Sequence, residues 1–141
     1  MNILFFLTPK AACEHLDADD TVRQALERME LSGYTALPVL APDGTYCGTL
    51  GVNDLLWALK NLCDMDMKTA EDHGISEITP RRENRAVSVS TKMEDLLSKA
   101  IDQNFVPVVD DRSAFIGIVT RKAIMQHFTE KMLKEENTAA V

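Results

Sequence analysis

The stretch Gly117–Ala123 (GIVTRKA) places two cations where a predicted helix begins. Strand-type residues precede Thr120, a good helix cap, and an apolar helical pattern follows. The first turn of a helix already presents positive dipole charge, so Arg121 and Lys122 are unfavourable there unless an anion joins them. A phosphate group fits this position, because helix N-termini, hydroxyl groups and guanidinium groups all bind its oxygens. The alternative is that both side chains extend into solvent.

The overall charge makes any such anion site a local one. The 141 residues carry a net charge of −7, which argues against a general surface for nucleic acids or anionic membranes. The apolar run Ile3–Leu7 is too short for a membrane span and lacks the charged start of a signal peptide. Three cysteines without metal-ligand spacing favour reduced thiols and a cytoplasmic location.

Enzymatic chemistry finds no support in the pattern of reactive residues. The histidines His15, His73 and His127 are scattered and have no partnered nucleophile or metal-ligand spacing. Neither a P-loop nor a dinucleotide-binding glycine pattern occurs. We therefore expect a protein that is not an enzyme and that holds neither a metal ion nor a resident cofactor.

The sequence contains two copies of one pattern. The segment Leu7–Lys10 (LTPK) returns as Ile78–Arg81 (ITPR), at an offset of 78 − 7 = 71. The segment Leu37–Leu40 (LPVL) returns as Val106–Val109 (VPVV), at an offset of 106 − 37 = 69. Matches on both sides of one small deletion are hard to obtain by chance, so we predict an internal duplication.

Each copy predicts the same order of elements, β-α-β-β-α. Apolar residues recur at helical spacing early in each copy, and two short strands joined by a turn then precede a closing helix. We predict a cap at Asp20 for the first helix, and a capping box of Thr91 with Glu94 for its counterpart. The predicted strand pairs and closing helices are 37–40, 47–50 and 53–61, then 106–109, 115–119 and 121–131.

These elements predict one α/β (α+β) module. Neither copy would bury much core alone, so we expect the two copies to pack through their sheets with pseudo-two-fold symmetry. The predicted segments are a first repeat at 5–63, an acidic connector at 64–76, a second repeat at 77–131 and a frayed tail at 132–141.

With these motifs the chain resembles a tandem pair of cystathionine-β-synthase-type (CBS) domains over residues 5–130. The resemblance rests on the Thr-Pro openings, the strands LPVL and VPVV, and a Gly-x-x-Thr/Ser-x-x-Asp pattern at each closing helix. It implies a regulatory module that binds an adenine nucleotide in a cleft between the repeats, with the motif hydroxyl at phosphate and the aspartate at ribose. This chain splits the motif. The first copy keeps Asp54 but has Gly51 in place of the hydroxyl, and the second keeps Thr120 but has Ala123 in place of the aspartate.

A narrower resemblance is to small stand-alone bacterial CBS pairs that bind cyclic di-AMP (c-di-AMP), and it is carried by SGYTALPVL and GIVTRKAIM. AMP, ADP and ATP are the alternative ligands. Two groups also have structural interpretations: Tyr34 as a core residue after a Gly33 helix cap, and residues 12–14 as connecting loop. The ligand-binding residues that the resemblance implies are Ala12, Cys13, Glu14, Tyr34, Thr35, Ala36, Asp54, Thr120, Arg121 and Lys122.

The resemblance also implies a homodimer and a client protein whose affinity depends on the ligand. We expect phosphate in the second copy, because the first has Asn53 and Asp54 at the matching turn, and these suit a helix start without a ligand. The main alternative is a scaffold that dimerises without binding a nucleotide. The residues that would form a dimer interface, unless they belong to the core, are Leu55, Trp57, Leu59, Ile124 and Phe128.

Overall fold

A computed structural model describes residues 1–139, and it confirms a mixed α/β fold with two sheets. The described residues form four α-helices: α1 (Val22–Ser32), α2 (Val52–Asn61), α3 (Met93–Asp102) and α4 (Arg121–Ala139). They form seven strands: β1 (Leu7–Pro9), β2 (Leu16–Asp17), β3 (Ala36–Leu40), β4 (Tyr46–Gly51), β5 (Val87–Ser88), β6 (Phe105–Val109) and β7 (Phe115–Thr120). The predicted order β-α-β-β-α therefore occurs twice, from β2 to α2 and from β5 to α4.

The described chain divides into two compact units. One consists of residues 1–13, 85–110 and 116 onward, and it contains a sheet in the order β1-β7-β6-β5. The other consists of residues 14–84 and 111–115, and it contains a sheet in the order β2-β3-β4. We call them the four-stranded and the three-stranded unit. The amino-terminal segment thus belongs to the unit of the second copy, whereas the sequence grouped residues 5–13 with the first.

Strand pairing shows how the two sheets differ. In the four-stranded unit, β1 runs antiparallel to β7, with Leu7 opposite Val119 and Pro9 opposite Gly117. In the three-stranded unit, β3 pairs with β2 in parallel and with β4 antiparallel. The repeat counterpart of β1 is Ile78–Pro80, which forms no strand in the described chain. One sheet therefore has an outer strand that the other lacks.

Each unit has its own hydrophobic core. In the three-stranded unit, α1 contributes Val22, Ala25 and Met29 at the predicted i, i+3, i+7 spacing. In the four-stranded unit, Ile3 and Phe6 of a short 3-10 helix pack with buried residues of α3, β6 and β7. The amino-terminal segment therefore supplies both a strand and core side chains to the second copy.

The predicted caps of α1 and α3 are wrong. The hydroxyl of Thr21 caps α1 by accepting the Gln24 N–H at 3.1 Å, while the buried Asp20 accepts the backbone N–H of Asp17 at 2.9 Å. Asp20 is therefore committed to the turn before the helix. Thr91 is likewise committed, because its hydroxyl accepts the Ser88 N–H at 3.1 Å, and α3 begins after Lys92 without a side-chain cap.

The final helix is longer than predicted. It continues through residues 132–139, which the sequence analysis treated as part of a frayed tail, and Ala140 and Val141 lie outside the described residues. Every residue from Thr129 to Ala139 is exposed, so the end of α4 has no covering from the described chain. None of the helices within residues 1–139 is both long and apolar enough to cross a membrane.

Candidate functional site

The start of α4 satisfies its own backbone groups to a large extent. The Thr120 hydroxyl accepts the Ala123 N–H at 3.0 Å, as a helix cap does. The Arg121 N–H donates to the Asn104 carbonyl at 2.9 Å. Two of the N–H groups that a phosphate would approach in the first turn are therefore already bonded within the unit.

The Arg121 side chain is fixed by the end of the preceding helix. Its Nε donates to the Ala100 carbonyl at 2.8 Å, and its Nη2 donates to the Ile101 carbonyl at 3.1 Å. Both carbonyls lie in the last turn of α3, the negative end of that helix dipole. The cation that is unfavourable at the start of α4 thus stabilises the end of α3. The Arg121 side chain therefore does not simply extend into solvent, and two of its N–H groups are not available to a phosphate. The guanidinium has further N–H donors that these two bonds do not use.

Lys122 is exposed beside this anchored arginine. The two cations border a groove of about 660 Å³ along α4 in the four-stranded unit. Glu130 also lines the groove, so the local charge is a small net positive in a chain that is acidic overall. The full lining is Asn104, Arg121, Lys122, Met125, Gln126, Thr129 and Glu130.

The matching helix start in the first copy uses a carboxylate instead. Asp54 Oδ2 accepts the Gly51 N–H at 2.8 Å, and Asp54 Oδ1 accepts the Arg81 N–H at 3.0 Å. The Arg81 guanidinium lies over the Trp57 ring, 5.1 Å from its centroid, in a cation–π contact. Both oxygens of Asp54 are therefore bound to backbone N–H groups of its own unit, one of them in the segment that follows the connector.

The Tyr34–Ala36 segment leaves an aromatic ring in solvent. Gly33 ends α1 in the left-handed conformation, with φ of 74°, as predicted for a helix cap. Tyr34 is nevertheless 57% exposed, so the interpretation of its ring as core is wrong. The Thr35 carbonyl accepts the Val52 N–H at 2.9 Å, which ties the beginning of β3 to the beginning of α2. The structure thus brings residues 34–36 close to the first turn of α2.

The loop after β1 is shaped by a thiol. Cys13 Sγ contacts the Thr8 carbonyl at 3.4 Å and the Pro9 carbonyl at 3.3 Å. Burial raises the pKa of Cys13 above its usual value, so the group stays a protonated thiol that donates to these carbonyls and is a weak nucleophile. Ala12, at the end of a short 3-10 helix, and Glu14 are both exposed.

The ten predicted residues divide equally between the units. The four-stranded unit contains Ala12, Cys13, Thr120, Arg121 and Lys122, and the three-stranded unit contains Glu14, Tyr34, Thr35, Ala36 and Asp54.

The sequence analysis missed Arg81 as a partner of Asp54 and Asn104 as a partner of Arg121. The repeat offers a signal for Asn104, because Thr35 and Asn104 are 104 − 35 = 69 positions apart. Each of these residues accepts, through its carbonyl, the N–H of the first residue of the following closing helix, α2 or α4. No group of three or more histidine, cysteine or acidic residues within residues 1–139 is placed to hold a metal ion.

Known proteins share both the sequence pattern and the fold. The CBS-domain family profile matches residues 10–61 and 75–130. The chain is 23% identical over 116 residues to cyclic di-AMP receptor B of Bacillus subtilis (strain 168), a match that covers 82% of this chain and 78% of that protein.

Two solved structures extend the similarity to the fold. The crystal structure of CbpB in complex with c-di-AMP superposes with a TM-score of 0.86 at 17% identity, covering 98% of this chain and 91% of the other. The crystal structure of CBSX2 in complex with AMP gives 0.73 at 25% identity, covering 93% and 98%. Two adenine nucleotides of different size are thus bound by proteins of this architecture.

Proposed function

The chain belongs to the CBS-domain family, and on that premise we propose that it is a non-enzymatic regulatory module whose ligand is c-di-AMP. AMP, ADP and ATP are the competing ligands. A bound nucleotide changes the affinity of the chain for a partner protein, which requires that the partner distinguish the bound state from the free state.

The exposed ring of Tyr34 is the observation that carries this proposal. Its neighbours in β3, Leu37–Leu40, are all buried, whereas the tyrosine ring just before the strand is 57% exposed. An exposed aromatic face offers a stacking surface for a nucleobase. Thr35 adds a hydroxyl group beside it, and the small side chain of Ala36 allows close approach of a flat ring.

Charge at the start of α4 supports a ligand that carries phosphate. Lys122 is exposed, and the two bonds that hold Arg121 fix a positive charge beside it. Fixing the guanidinium before binding reduces the side-chain entropy that binding would cost. The ligand phosphate is therefore assigned to Lys122 and to the remaining donors of Arg121, in the second copy.

One comparison favours c-di-AMP over the mononucleotides. The curated bacterial relative is named for c-di-AMP, and it aligns over most of both chains. The fold of the CbpB complex with c-di-AMP, with a TM-score of 0.86, is compatible with this choice.

Titration calorimetry against c-di-AMP, AMP, ADP and ATP tests the proposal. We expect tightest binding for c-di-AMP. Tyr34→Ala should weaken binding by roughly 5- to 150-fold, the value of about 1–3 kcal/mol for one stacked base, and Tyr34→Phe, which keeps the ring, should bind as the parent does. A flat response to all four nucleotides would reject ligand sensing.

A dimerisation scaffold is the second candidate, and the outer surface of α4 favours it. Leu55 and Ile124, which the sequence offered as interface residues, are core, at 0% and 6% exposure. Phe128 is 37% exposed, and the α4 residues Met125 and Met132 are also exposed. Light scattering on the parent and on Phe128→Asp, without nucleotide, tests whether this surface joins two copies. Loss of a dimer in the variant, combined with a flat calorimetric response of the parent to all four nucleotides, would support the scaffold, and a monomeric parent would reject it.

A further inference from the structure

The outer edge of β4 lacks the strand that covers its counterpart. In the four-stranded unit, β1 covers the edge of β7. Within the described residues of the three-stranded unit, β4 is an edge strand. Only its beginning has a further partner, because the Tyr46 N–H donates to the Ser113 carbonyl at 3.2 Å; the edge from Cys47 onward is uncovered. An uncovered edge presents backbone N–H and C=O groups that can accept a further strand.

Two glycines show that the place for this strand exists and is empty. Gly117 has φ of 155°, and a Cβ there would collide with the Thr8 carbonyl oxygen and come within 3.1 Å of the Pro9 Cα. Gly48 occupies the same repeat position (117 − 48 = 69) with φ of 140°, and a Cβ there would meet nothing within 4 Å. Both glycines have the backbone conformation that lets a neighbouring strand approach closely, but only Gly117 has that neighbour.

The segment that matches β1 is held elsewhere. Ile78 packs against the core of the three-stranded unit. Arg81 N–H donates to Asp54 Oδ1, and the other oxygen of Asp54 accepts the Gly51 N–H. Arg81 therefore lies near Gly51, the last residue of β4.

The repeat predicts a different register for the same segment. Pro9 lies opposite Gly117 and Leu7 opposite Val119, so Pro80 would lie opposite Gly48 and Ile78 opposite Leu50. Arg81 would come next to Cys47, one residue beyond the paired segment, because its counterpart Lys10 follows the end of β1 and begins a 3-10 helix. Cys47 and Gly51 are four residues apart, about 13 Å along a strand. Arg81 cannot bond to Asp54 and lie next to Cys47 at the same time, so the two arrangements exclude each other.

We propose that the outer edge of β4 is a strand-acceptor site and that its occupant is the chain's own segment Ile78–Arg82, which we call the strap. In the structure the strap is open and anchored at Asp54 and Trp57. In the closed state it slides along β4 and pairs antiparallel beside Gly48. Pro80, which has no N–H, is tolerated at an edge position.

Closure changes what Asp54 can bind. One carboxylate oxygen loses the Arg81 N–H and becomes free to accept another donor, while the other oxygen keeps the Gly51 N–H. A role of the strap in controlling the candidate ligand residue Asp54 rests on the proposed function. The exchange of the strap between its open and closed states does not depend on the proposed function. If the protein bound no nucleotide, the proposal of this exchange would still stand.

Disulfide trapping tests the closed register without any nucleotide. In the closed state Arg81 would directly follow Pro80, which is paired with Gly48, and would therefore lie beside Cys47, an exposed native thiol; a disulfide needs Cα atoms about 4.4–6.8 Å apart. We expect Arg81→Cys, treated with oxidised glutathione, to form an intramolecular bond to Cys47, identified by peptide mass mapping. Arg82→Cys with Arg81→Ala is the matched control, because both variants then lack the Arg81–Trp57 contact. Residue 82 lies one residue further from the paired segment, so this control should stay reduced.

Each other outcome rejects the proposal. Absence of the Cys47 cross-link in folded Arg81→Cys would show that the closed state is not populated. Equal cross-linking of Arg81→Cys and of the Arg82→Cys control would show an irregular loop without strand register. A covalent dimer would show that a second copy occupies the edge. Adding Asp54→Ala to Arg81→Cys removes the anchor and should speed the cross-link; no change in rate would show that Asp54 does not hold the strap open.

Discussion

The starts of α2 and α4 occupy equivalent places in the two repeats, yet they carry opposite charge. At α2 the carboxylate of Asp54 bonds to the N–H groups of Gly51 and Arg81. At α4 the cap is the neutral hydroxyl of Thr120, and the cation Arg121 is anchored to α3. The carboxylate of Asp54 thus neutralises the positive dipole charge at the start of α2, whereas the start of α4 keeps its positive charge. Duplication preserved the fold while the two turns acquired different partners.

The largest test of this comparison concerns the paired glycines. Gly117→Ala adds a side chain that collides with β1 and is strained at positive φ, so we expect a loss of about 4 kcal/mol in the free energy of unfolding. Gly48→Ala is strained at positive φ but collides with no neighbouring atom, so it should lower the free energy of unfolding by about 2 kcal/mol. Urea unfolding of both variants measures the difference, and equal losses would contradict the contrast between a covered and an uncovered edge.

Arg121 is expected to matter for stability as well as for charge. Arg121→Ala removes two charge-assisted bonds to the end of α3, and because the side chain is only partly buried we expect a loss of about 1–2 kcal/mol. Arg121→Lys should restore little, since a lysine cannot reproduce the fork that reaches two carbonyls. Thermal unfolding without ligand measures this. Full stability of the alanine variant would mean that the guanidinium is not needed by α3.

Substitution of Lys122 is expected mainly to weaken ligand binding, and substitution of Asp54 is expected mainly to lower stability. Lys122→Ala removes a charge from the proposed phosphate position, and we expect roughly tenfold weaker c-di-AMP binding, about 1.4 kcal/mol, with unchanged stability. Asp54→Ala removes a helix cap, and we expect about 1 kcal/mol lower stability with little change in affinity. Calorimetry and urea unfolding on both variants check the pattern. A larger loss of affinity from Asp54→Ala than from Lys122→Ala would contradict this pattern and would indicate a ribose contact at Asp54.

The smallest effect lies where Tyr46 in one copy corresponds to Phe115 in the other. The Tyr46 hydroxyl lies 2.7 Å from the Thr49 hydroxyl and 2.8 Å from the Asn84 carbonyl, so Tyr46→Phe should cost about 1 kcal/mol at pH 7.

The same residue predicts a pH dependence. Burial raises the pKa of Tyr46 to about 12, above the value of about 10 for an unfolded tyrosine. The unfolded state therefore loses its proton first, so stability should fall as pH rises from about 10 towards 12. Urea unfolding across this range should show a shallower decline for Tyr46→Phe, and an equal decline in both proteins would contradict the assignment.

Periodic patterns made the fold predictable, while single contacts were not. The repeat offsets of 71 and 69 fixed the order of elements, because buried positions recur with the period of each element. The caps were wrong because Asp20 and Thr91 bond to turns that sequence spacing does not reveal. The wrong core assignment of Tyr34 has a similar cause, since a tyrosine after a helix cap satisfies the same local pattern whether it is buried or exposed.

In the candidate site, too, local features could be predicted from the sequence and contacts between distant residues could not. Thr120 at the start of α4 was predictable as a cap from its type and place. The anchoring of Arg121 by Ala100 and Ile101 was not, because it depends on where the end of α3 lies in space. Asp54 was predicted to suit its helix start, but its bond to Arg81 joins residues that are 27 positions apart. Distant backbone partners of polar side chains are the part of a site that sequence patterns leave open.

The pairing of β1 with β7 has a consequence for biosynthesis. Leu7 leaves the ribosome well before its partner Val119, which follows 119 − 7 = 112 residues later. The apolar segment from Ile3 to Leu7 must therefore wait unpaired while the three-stranded unit is being completed. Translation that stops before β7 would leave this segment without its partner strand and prone to aggregation.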